Sequence, residues 1–504
     1  MILFQKFRTA AKGTSLLGNV VSNYGAQVGM GVVGLVSTAF YYRNLGAEGF
    51  GLIGIYLTLQ MFSQVLNLGL SPGLQREMAR QDLSDLSGCR QKDALRVFGF
   101  ANMVVAGVTT VVLLLLAPWL ASKWLNPNPK HLVALVLALQ TMAVAIGLQF
   151  LVNLQQAALV GLERQVWSNG LNALFFTVRQ AFSVGLLWAY PAVPWLFFAG
   201  QVAGLLLHYL VLKWSVQRLL PSRADHRLAW PLLGHSLGFI SASAGGTVVS
   251  LLTTQMDRII LSRLLSLETF GQYSLLTSLA PQLLRVSIPV VQAVTPRLTS
   301  LVTSGNSEAT NQLYKRSYHA IGILVAPVAA CLILLPQPVL AVFIGDVAKA
   351  KSLAPLLSLM ALSNVLGALV AVPNALLFAY GNAWFGLLLN IGYCVAYLPL
   401  LWVATLSFGM TGTIFCGLAL AAVNFVVYPS FIARRYLPGS ATAFWLHGWL
   451  WPSALALICT LPAYGVWFLS SSVILALAVG AGIAAVLYWR ALNCLRSSDG
   501  LFST

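Results

Sequence analysis

Arg43-Asn44-Leu45-Gly46-Ala47-Glu48-Gly49-Phe50-Gly51 stands between two apolar runs near the start of the chain. Arg263-Leu264-Leu265-Ser266-Leu267-Glu268-Thr269-Phe270-Gly271 stands between two others near its middle. Arg, Leu, Glu, Phe and Gly coincide at a constant offset of 220 residues, the spacing of Arg43 from Arg263. By the span count given below, six membrane spans separate the copies. Six is even, so both copies keep one orientation across a membrane, which is the parallel kind of internal repeat. Two six-helix lobes facing one another would enclose a central cavity, and rocking them would give alternating access. That geometry points to a transporter rather than a channel or an enzyme.

The composition explains why a membrane is invoked. Of 504 residues, 58% are hydrophobic and only 8% charged, whereas soluble domains run near about 25% charged. A soluble chain of this length could not hide so much apolar surface in a core. Polar stretches between apolar runs stay within about 20 residues, which leaves no room for a separate catalytic domain.

A span needs about 20 mostly apolar residues. Fourteen stretches qualify, near 17–42, 50–75, 96–121, 131–158, 168–190, 193–215, 235–263, 270–300, 318–345, 352–379, 384–405, 409–432, 447–468 and 472–489. The expected fold is therefore an all-α integral membrane protein of about 14 transmembrane helices. It divides into an N-lobe over 1–219, a C-lobe over 220–440, and two C-terminal helices with a tail over 441–504.

The net charge of +17 is explained by topology rather than by nucleic acid. With the N-terminus in the cytoplasm, nineteen of the 29 Lys and Arg fall on the inside and six on the outside. One missed span would invert every later loop and destroy that bias. Four arginines, Arg179, Arg258, Arg285 and Arg297, remain within spans. Trp119, Trp124, Trp188, Trp195, Trp214, Trp402, Trp467 and Trp489 fall near span ends, where an amphipathic ring prefers to sit. Both termini are expected in the cytoplasm.

The six cysteines form no CxxC and the six histidines show no metal spacing, so no metal is expected. No glycine loop that could cradle phosphate appears, and no cofactor is expected.

With the two motifs and their spacing in view, Leu45-Gly46-Ala47-Glu48-Gly49-Phe50-Gly51 and Leu68-Gly69-Leu70-Ser71, running on to Arg76-Glu77, resemble the polysaccharide-exporter and O-antigen flippase (Wzx-like) family. So do Asp257-Arg258-Ile259-Ile260-Leu261 and Phe270-Gly271-Gln272-Tyr273. That family belongs to the multidrug/oligosaccharidyl-lipid/polysaccharide (MOP) flippase superfamily. The resemblance covers residues 15–435 in layout. It implies two six-helix bundles in a V, in the bacterial inner membrane. It also implies export of an undecaprenyl-diphosphate-linked oligosaccharide to the outer leaflet, coupled to a proton or sodium gradient. The partners it implies are the lipid-linked oligosaccharide and membrane lipids, with glycan polymerase or chain-length machinery alongside, and no nucleic acid.

Moving such a cargo requires a wet polar path for sugar and diphosphate. Residues stepping by three or four share one helix face. Gln60, Ser63 or Gln64, Asn67 and Ser71 do so in span two; Gln149, Asn153 and Gln156 in span four; Asn19, Asn23 and Gln27 in span one; Ser243, Thr247, Ser250, Thr254 and Asp257 in span seven. The plainer reading is hydrogen bonding between packed helices. Arg285 in span eight shares a side with Ser278, Pro281, Gln282, Pro289 and Gln292. A charge at mid-bilayer costs roughly 2.5–3.5 kcal/mol and normally faces an interior or a wet cavity. A guanidinium suits an oxyanion such as diphosphate, and the resemblance also places an important cation in this helix. The substrate candidates are thus Arg285, Arg179, Gln292, Gln60, Asn67 and Asn153, each weighed against a structural contact. Asp257, the acid set well within a span, is the candidate for a coupling cation, weighed against a structural ion pair.

Two other readings stay open. A multidrug or cation extruder of the same architecture should offer a cavity richer in carboxylates. A membrane polysaccharide polymerase or glycosyltransferase should offer a large extramembrane loop or converging acids.

Overall fold

The computed structural model describes residues 16–66, 69–79, 89–125, 132–220 and 254–450, with isolated positions 453, 454, 465 and 482. Among them every regular element is helical. Hydrocarbon offers backbone groups no water, so each N–H must find its carbonyl within its own segment, and helices do this.

The chain divides into two compact units, Met1–Gly271 and Gln272–Thr504. The first holds α1 (Leu16–Leu66), α2 (Leu70–Ala79), α3 (Cys89–Trp119), α4 (Leu132–Gly161), α5 (Gln165–Ala189), α6 (Pro194–Leu219) and α7 (residues 254–264). A π-helical turn, Leu120–Trp124, extends α3. The expected lobe boundary at 219/220 falls where the described residues pause, at 221–253.

Spans one to six are all present in this unit. The first two are joined without a loop inside α1, which is 51 residues long. At a rise of 1.5 Å per residue such a helix would reach about 75 Å, more than twice a hydrocarbon core. It is broken at Gly46 (φ 69°, ψ −177°), a conformation that essentially only glycine adopts. Span seven is described as α7 alone; the rest of it, with Ser243, Thr247 and Ser250, lies outside the described residues.

The two repeat motifs meet within this unit. A Cβ on Gly51 would stand 2.7 Å from the Leu267 carbonyl oxygen, and a Cβ on Gly271 would overlap the Ala47 carbonyl. The relation is reciprocal: each glycine faces the residue four positions before its counterpart. Small residues spaced by four let helix backbones approach closely in membranes. Phe50 and Phe270 are buried alongside. In the second copy, Arg263 Nη1 donates to the Lys123 carbonyl at the end of the π turn (2.5 Å), and Trp124 Nε1 donates to Ser262 Oγ (3.1 Å).

α4 packs against α2, α3 and α6 and carries the small residues Ala138, Ala145 and Ala158 to its interfaces, fully buried. α3 behaves oppositely. Only 11% of its most apolar window is buried inside the protein, and Leu115 is 75% exposed. An aliphatic face of that kind is a lipid contact.

The second unit holds α8, which starts at the unit boundary (Leu267–Leu279), then α9 (Gln282–Thr303), α10 (Ser307–Leu334), α11 (Pro336–Ile344), α12 (Val347–Ala379), α13 (Ala383–Arg435) and α14 (Ser440–Ala443), the last followed by a π-helical stretch, Phe444–Leu450. α9 packs on α10 and α12, and α12 on α13. α13 contains spans eleven and twelve, broken at Gly409 (φ 59°). Span eight is bent by 42° between Leu267–Arg285 and Val290–Thr303, the place where Pro289 withholds a backbone donor.

Two boundaries need correction. Span two was expected over 50–75, but α1 ends at Leu66 and α2 is a separate helix from Leu70, preceded by Gly69 at φ 82°, so Ser71 does not continue the stripe of Gln60. Span nine was expected over 318–345, but α10 begins at Ser307, and the last part of the stretch is the separate helix α11. Asn306 caps α10 by accepting from the Ala309 amide at 3.0 Å, and Pro336 starts α11, where a missing N–H costs nothing. Span thirteen is described only to residue 450 before isolated positions, and span fourteen and the cytoplasmic tail lie outside the described residues.

By length and hydropathy eight described helices suffice to cross a membrane, or nine with the bent pair counted as one span. Two of the eight each contain two spans, in α1 and α13. The all-α, multi-pass membrane fold expected from the sequence is the fold found.

Gly271→Ala is expected to destabilise the protein in detergent by about 1–3 kcal/mol, the usual cost of overpacking. Gly107→Ala, where a Cβ meets nothing within 4 Å, should leave the thermal midpoint unchanged. Equal midpoints for the two variants would refute the close packing of the motifs.

Candidate functional site

A polar network crosses three helices of the first unit. Gln149 of α4 is its hub. Its Oε1 accepts from Arg179 Nη1 of α5 at 3.1 Å and from Gln60 Nε2 of α1 at 3.2 Å. Its own amide donates to Asn153 Oδ1, one turn further along α4, at 2.7 Å. Gln149 and Asn153 meet because residues four apart share a helix face. All four side chains are partly exposed.

Arg179 is the charged member. Phe176 lies beneath its guanidinium, 5.7 Å from ring centroid to Cζ. On the other side, Gly204 of α6 makes room for it: a Cβ there would stand 2.9 Å from the Arg179 Cα. Nε is buried and has no hydrogen-bond partner among the described residues. A guanidinium has five N–H donors, so the bond to Gln149 leaves most of its capacity unspent. No carboxylate pairs with it among the described residues. Neutral amides orient the charge without cancelling it.

Two further polar groups stand within electrostatic reach of Arg179, Tyr56 of α1 and His208 of α6. Both are buried, and neither the Tyr56 hydroxyl nor either His208 ring nitrogen has a partner among the described residues. The His208 ring stacks on Phe175 at 4.7 Å with 14° between planes. Tyr56 sits edge-on to Phe198 at 5.6 Å. Nearby, Tyr41 donates to Gln180 Oε1 at 2.6 Å, which fixes the neighbour of Arg179 on α5.

Of the residues singled out in the sequence, the structure thus brings Arg179, Gln60 and Asn153 together. Arg285 and Gln292 lie on the second unit, seven residues apart along α9 and both exposed, on one face of that helix. Asp257 is partly exposed on α7 and has contacts of its own. Asn67 lies outside the described residues, and nothing is described of the Asn19 and Asn23 side chains. No group of three or more His, Cys, Asp or Glu could hold a metal among the described residues.

The sequence ranked Gln149 only as part of a stripe and missed Tyr56. The signal for Gln149 was its position one turn before Asn153. Tyr56 gave none, since it is one aromatic residue in an apolar run and only the approach of α5 gives it polar company.

Residues 16–302, more than half of the chain, match a family described as Polysaccharide biosynthesis protein. The chain belongs to this family. Among solved structures the fold is similar to the lipid II flippase MurJ in an inward closed conformation, with TM-score 0.69 and 13% identity over 94% of this chain and 99% of that one. It is also similar to an inward-facing multidrug resistance MATE family transporter of the MOP superfamily, with TM-score 0.63 and 13% identity over 80% of this chain and 95% of that one. A third relative in fold is a MOP superfamily transporter from Pyrococcus furiosus, whose reversed binding-pocket polarity suggests a different function, with TM-score 0.52 and 12% identity over 82% and 96%. At such identities the likeness is one of fold. No curated protein matches the sequence. The family is one of polysaccharide biosynthesis, and the fold is the one that this lipid II flippase and this MATE family transporter share.

The shared oxygen of Gln149 should couple its neighbours energetically. In a double-mutant cycle on Arg179→Ala and Gln149→Ala, read by unfolding in mixed micelles, a coupling of about 0.5–3 kcal/mol is expected. Strict additivity would mean that the pair does not interact in the folded protein.

Proposed function

We propose that this member of the family is a secondary transporter. Its cargo is an undecaprenyl-diphosphate-linked oligosaccharide, flipped from the cytoplasmic to the outer leaflet by alternating access. It works in the bacterial inner membrane with both termini in the cytoplasm, alongside glycan polymerase or chain-length machinery. Its functional lobes are 1–219 and 220–440, with 441–504 appended.

The observation that carries this reading is the Arg179 network. A guanidinium without a carboxylate partner among the described residues, with unspent donors and amide neighbours, is suited to an oxyanion. Its planar fork matches phosphate geometry, and holding it in a membrane segment is costly unless it serves a purpose. Gln60, Gln149 and Asn153 offer amide donors and acceptors of the kind that hydroxyl-rich sugars require. Arg285, with Gln292 on the same face of α9, is proposed as a second phosphate contact. Asn67 is assigned to the glycan path and Asp257 to the coupling cation.

The fold is shared with a multidrug transporter, which keeps extrusion of organic cations as the second reading. A cation cargo would be repelled by Arg179 and would call for a carboxylate at the network.

Arg179→Ala is expected to reduce export of the lipid-linked glycan at least tenfold while insertion and protein level persist. Arg179→Lys should recover part of it, since it keeps the charge and loses the fork. Arg285→Ala should also lower export. Undiminished export by both alanine variants, or efflux of a cationic dye that improves with Arg179→Glu, would shift the assignment to the extruder.

A further inference from the structure

A second polar concavity lies in the first unit on the lipid-facing side of α3, away from the Arg179 network. It measures about 390 Å³ and is walled by α3, α4 and α6. Arg96 and Lys213 bring cations to it, Asn102 and Gln155 bring amides, and Phe100 and Met103 form its apolar side. Among the described residues no acidic one lines it.

Three observations give it a ligand. First, its charge lies at the membrane face that carries the basic loops. Arg96 is near the start of α3, while Lys213 and Gln217 are near the end of α6. At the same end of α6, the Arg218 guanidinium stacks on Trp214 at 3.9 Å, an arrangement suited to the headgroup layer. Second, Asn102 and Gln155 are buried, and the side-chain oxygen of each has no hydrogen-bond partner among the described residues. Asn102 spends its amide on the Phe150 carbonyl at 3.0 Å. The floor therefore holds acceptors that call for donors. Third, an exposed apolar stripe leaves the pocket along α3 through Phe100, Met103, Val104, Val108, Val111 and Leu115. From Phe100 to Leu115 it runs about 22 Å at the helical rise, the length of an extended acyl chain.

We propose that this pocket binds an anionic phospholipid with a hydroxylated headgroup, phosphatidylglycerol by type, in the leaflet that faces the basic loops. The phosphodiester sits against Lys213 and Arg96, the glycerol hydroxyls donate to Asn102 and Gln155, and an acyl chain lies along α3. Arg96 is also engaged elsewhere in the protein, so Lys213 is the discriminating residue. Basic pockets between helices on the cytoplasmic side take anionic headgroups for the same electrostatic reason. The site does not depend on the transport reading.

The test is native mass spectrometry of the purified full-length protein with phosphatidylglycerol, phosphatidylethanolamine and phosphatidylcholine of identical chains. Phosphatidylglycerol adducts should be retained at least fivefold over both zwitterionic lipids. Lys213→Gln, a change at an exposed position, should erase that preference, and Lys213→Arg should keep it. Glycerol 1-phosphate at millimolar concentration should not displace the lipid. Equal retention of all three lipids, or an unchanged preference in Lys213→Gln, would overturn the site. Displacement by glycerol 1-phosphate would overturn the lipid and leave a site for a soluble phosphate.

Discussion

The bilayer withholds water from the backbone, and the rest of this structure follows from that. Each N–H and C=O must be satisfied inside its own helix, so the chain becomes a series of helices whose side chains settle everything else. Hydrophobicity cannot then hold one helix against another, because lipid tails are as apolar as leucine. Close backbone contact and shared polar groups take its place. The reciprocal seating of Gly51 on Leu267 and of Gly271 on Ala47 is the first device. The Gln149 hub, accepting from two helices with one oxygen, is the second.

The same scarcity of water makes Arg179 informative. In a soluble protein a partly exposed arginine bonded to a glutamine would be unremarked. Within α5, the surroundings do nothing to neutralise it: Gln149 is neutral, Phe176 offers a ring face, and Tyr56 and His208 carry no formal negative charge. An ion kept in a membrane helix without a counter-ion among the described residues leaves a place for one to arrive. On the transport function proposed above, that electrostatic asymmetry, rather than the fold, is what favours an anionic cargo over a cationic one.

Much of the fold was legible because hydropathy and charge bias are properties of whole segments. Spans one, three to six and ten to twelve could be placed from apolar length alone, whereas span two was drawn through the separate helix α2. What could not be read were events decided by single residues in three dimensions. The fusion of spans one and two through Gly46 follows from one backbone conformation. The end of span nine became α11 because Pro336 restarts the helix. At the candidate site, Gln60, Asn153 and Arg179 were visible as polar positions in apolar runs. Their convergence was not, because it depends on how α1, α4 and α5 pack around Gln149, a relation between residues with no sequence periodicity in common.

The internal repeat clarifies where the chemistry resides. The offset that superposes Ala47 on Leu267 and Gly51 on Gly271 also carries Gln60 to Ala280, Gln149 to Leu369, Asn153 to Pro373 and Arg179 to Pro399. The packing device recurs; the polar network does not. A duplicated scaffold needs the same backbone approach in both copies, so its small residues are held in place by sterics. On the function proposed above, a guanidinium at the position matching Arg179 is not called for, because Arg285, the proposed second cation, stands at a different place in the repeat and each arginine within a span adds its own cost. On that same proposal, the positions where the halves diverge are the ones assigned to the cargo, and Arg179 is the charged one among Gln60, Gln149, Asn153 and Arg179.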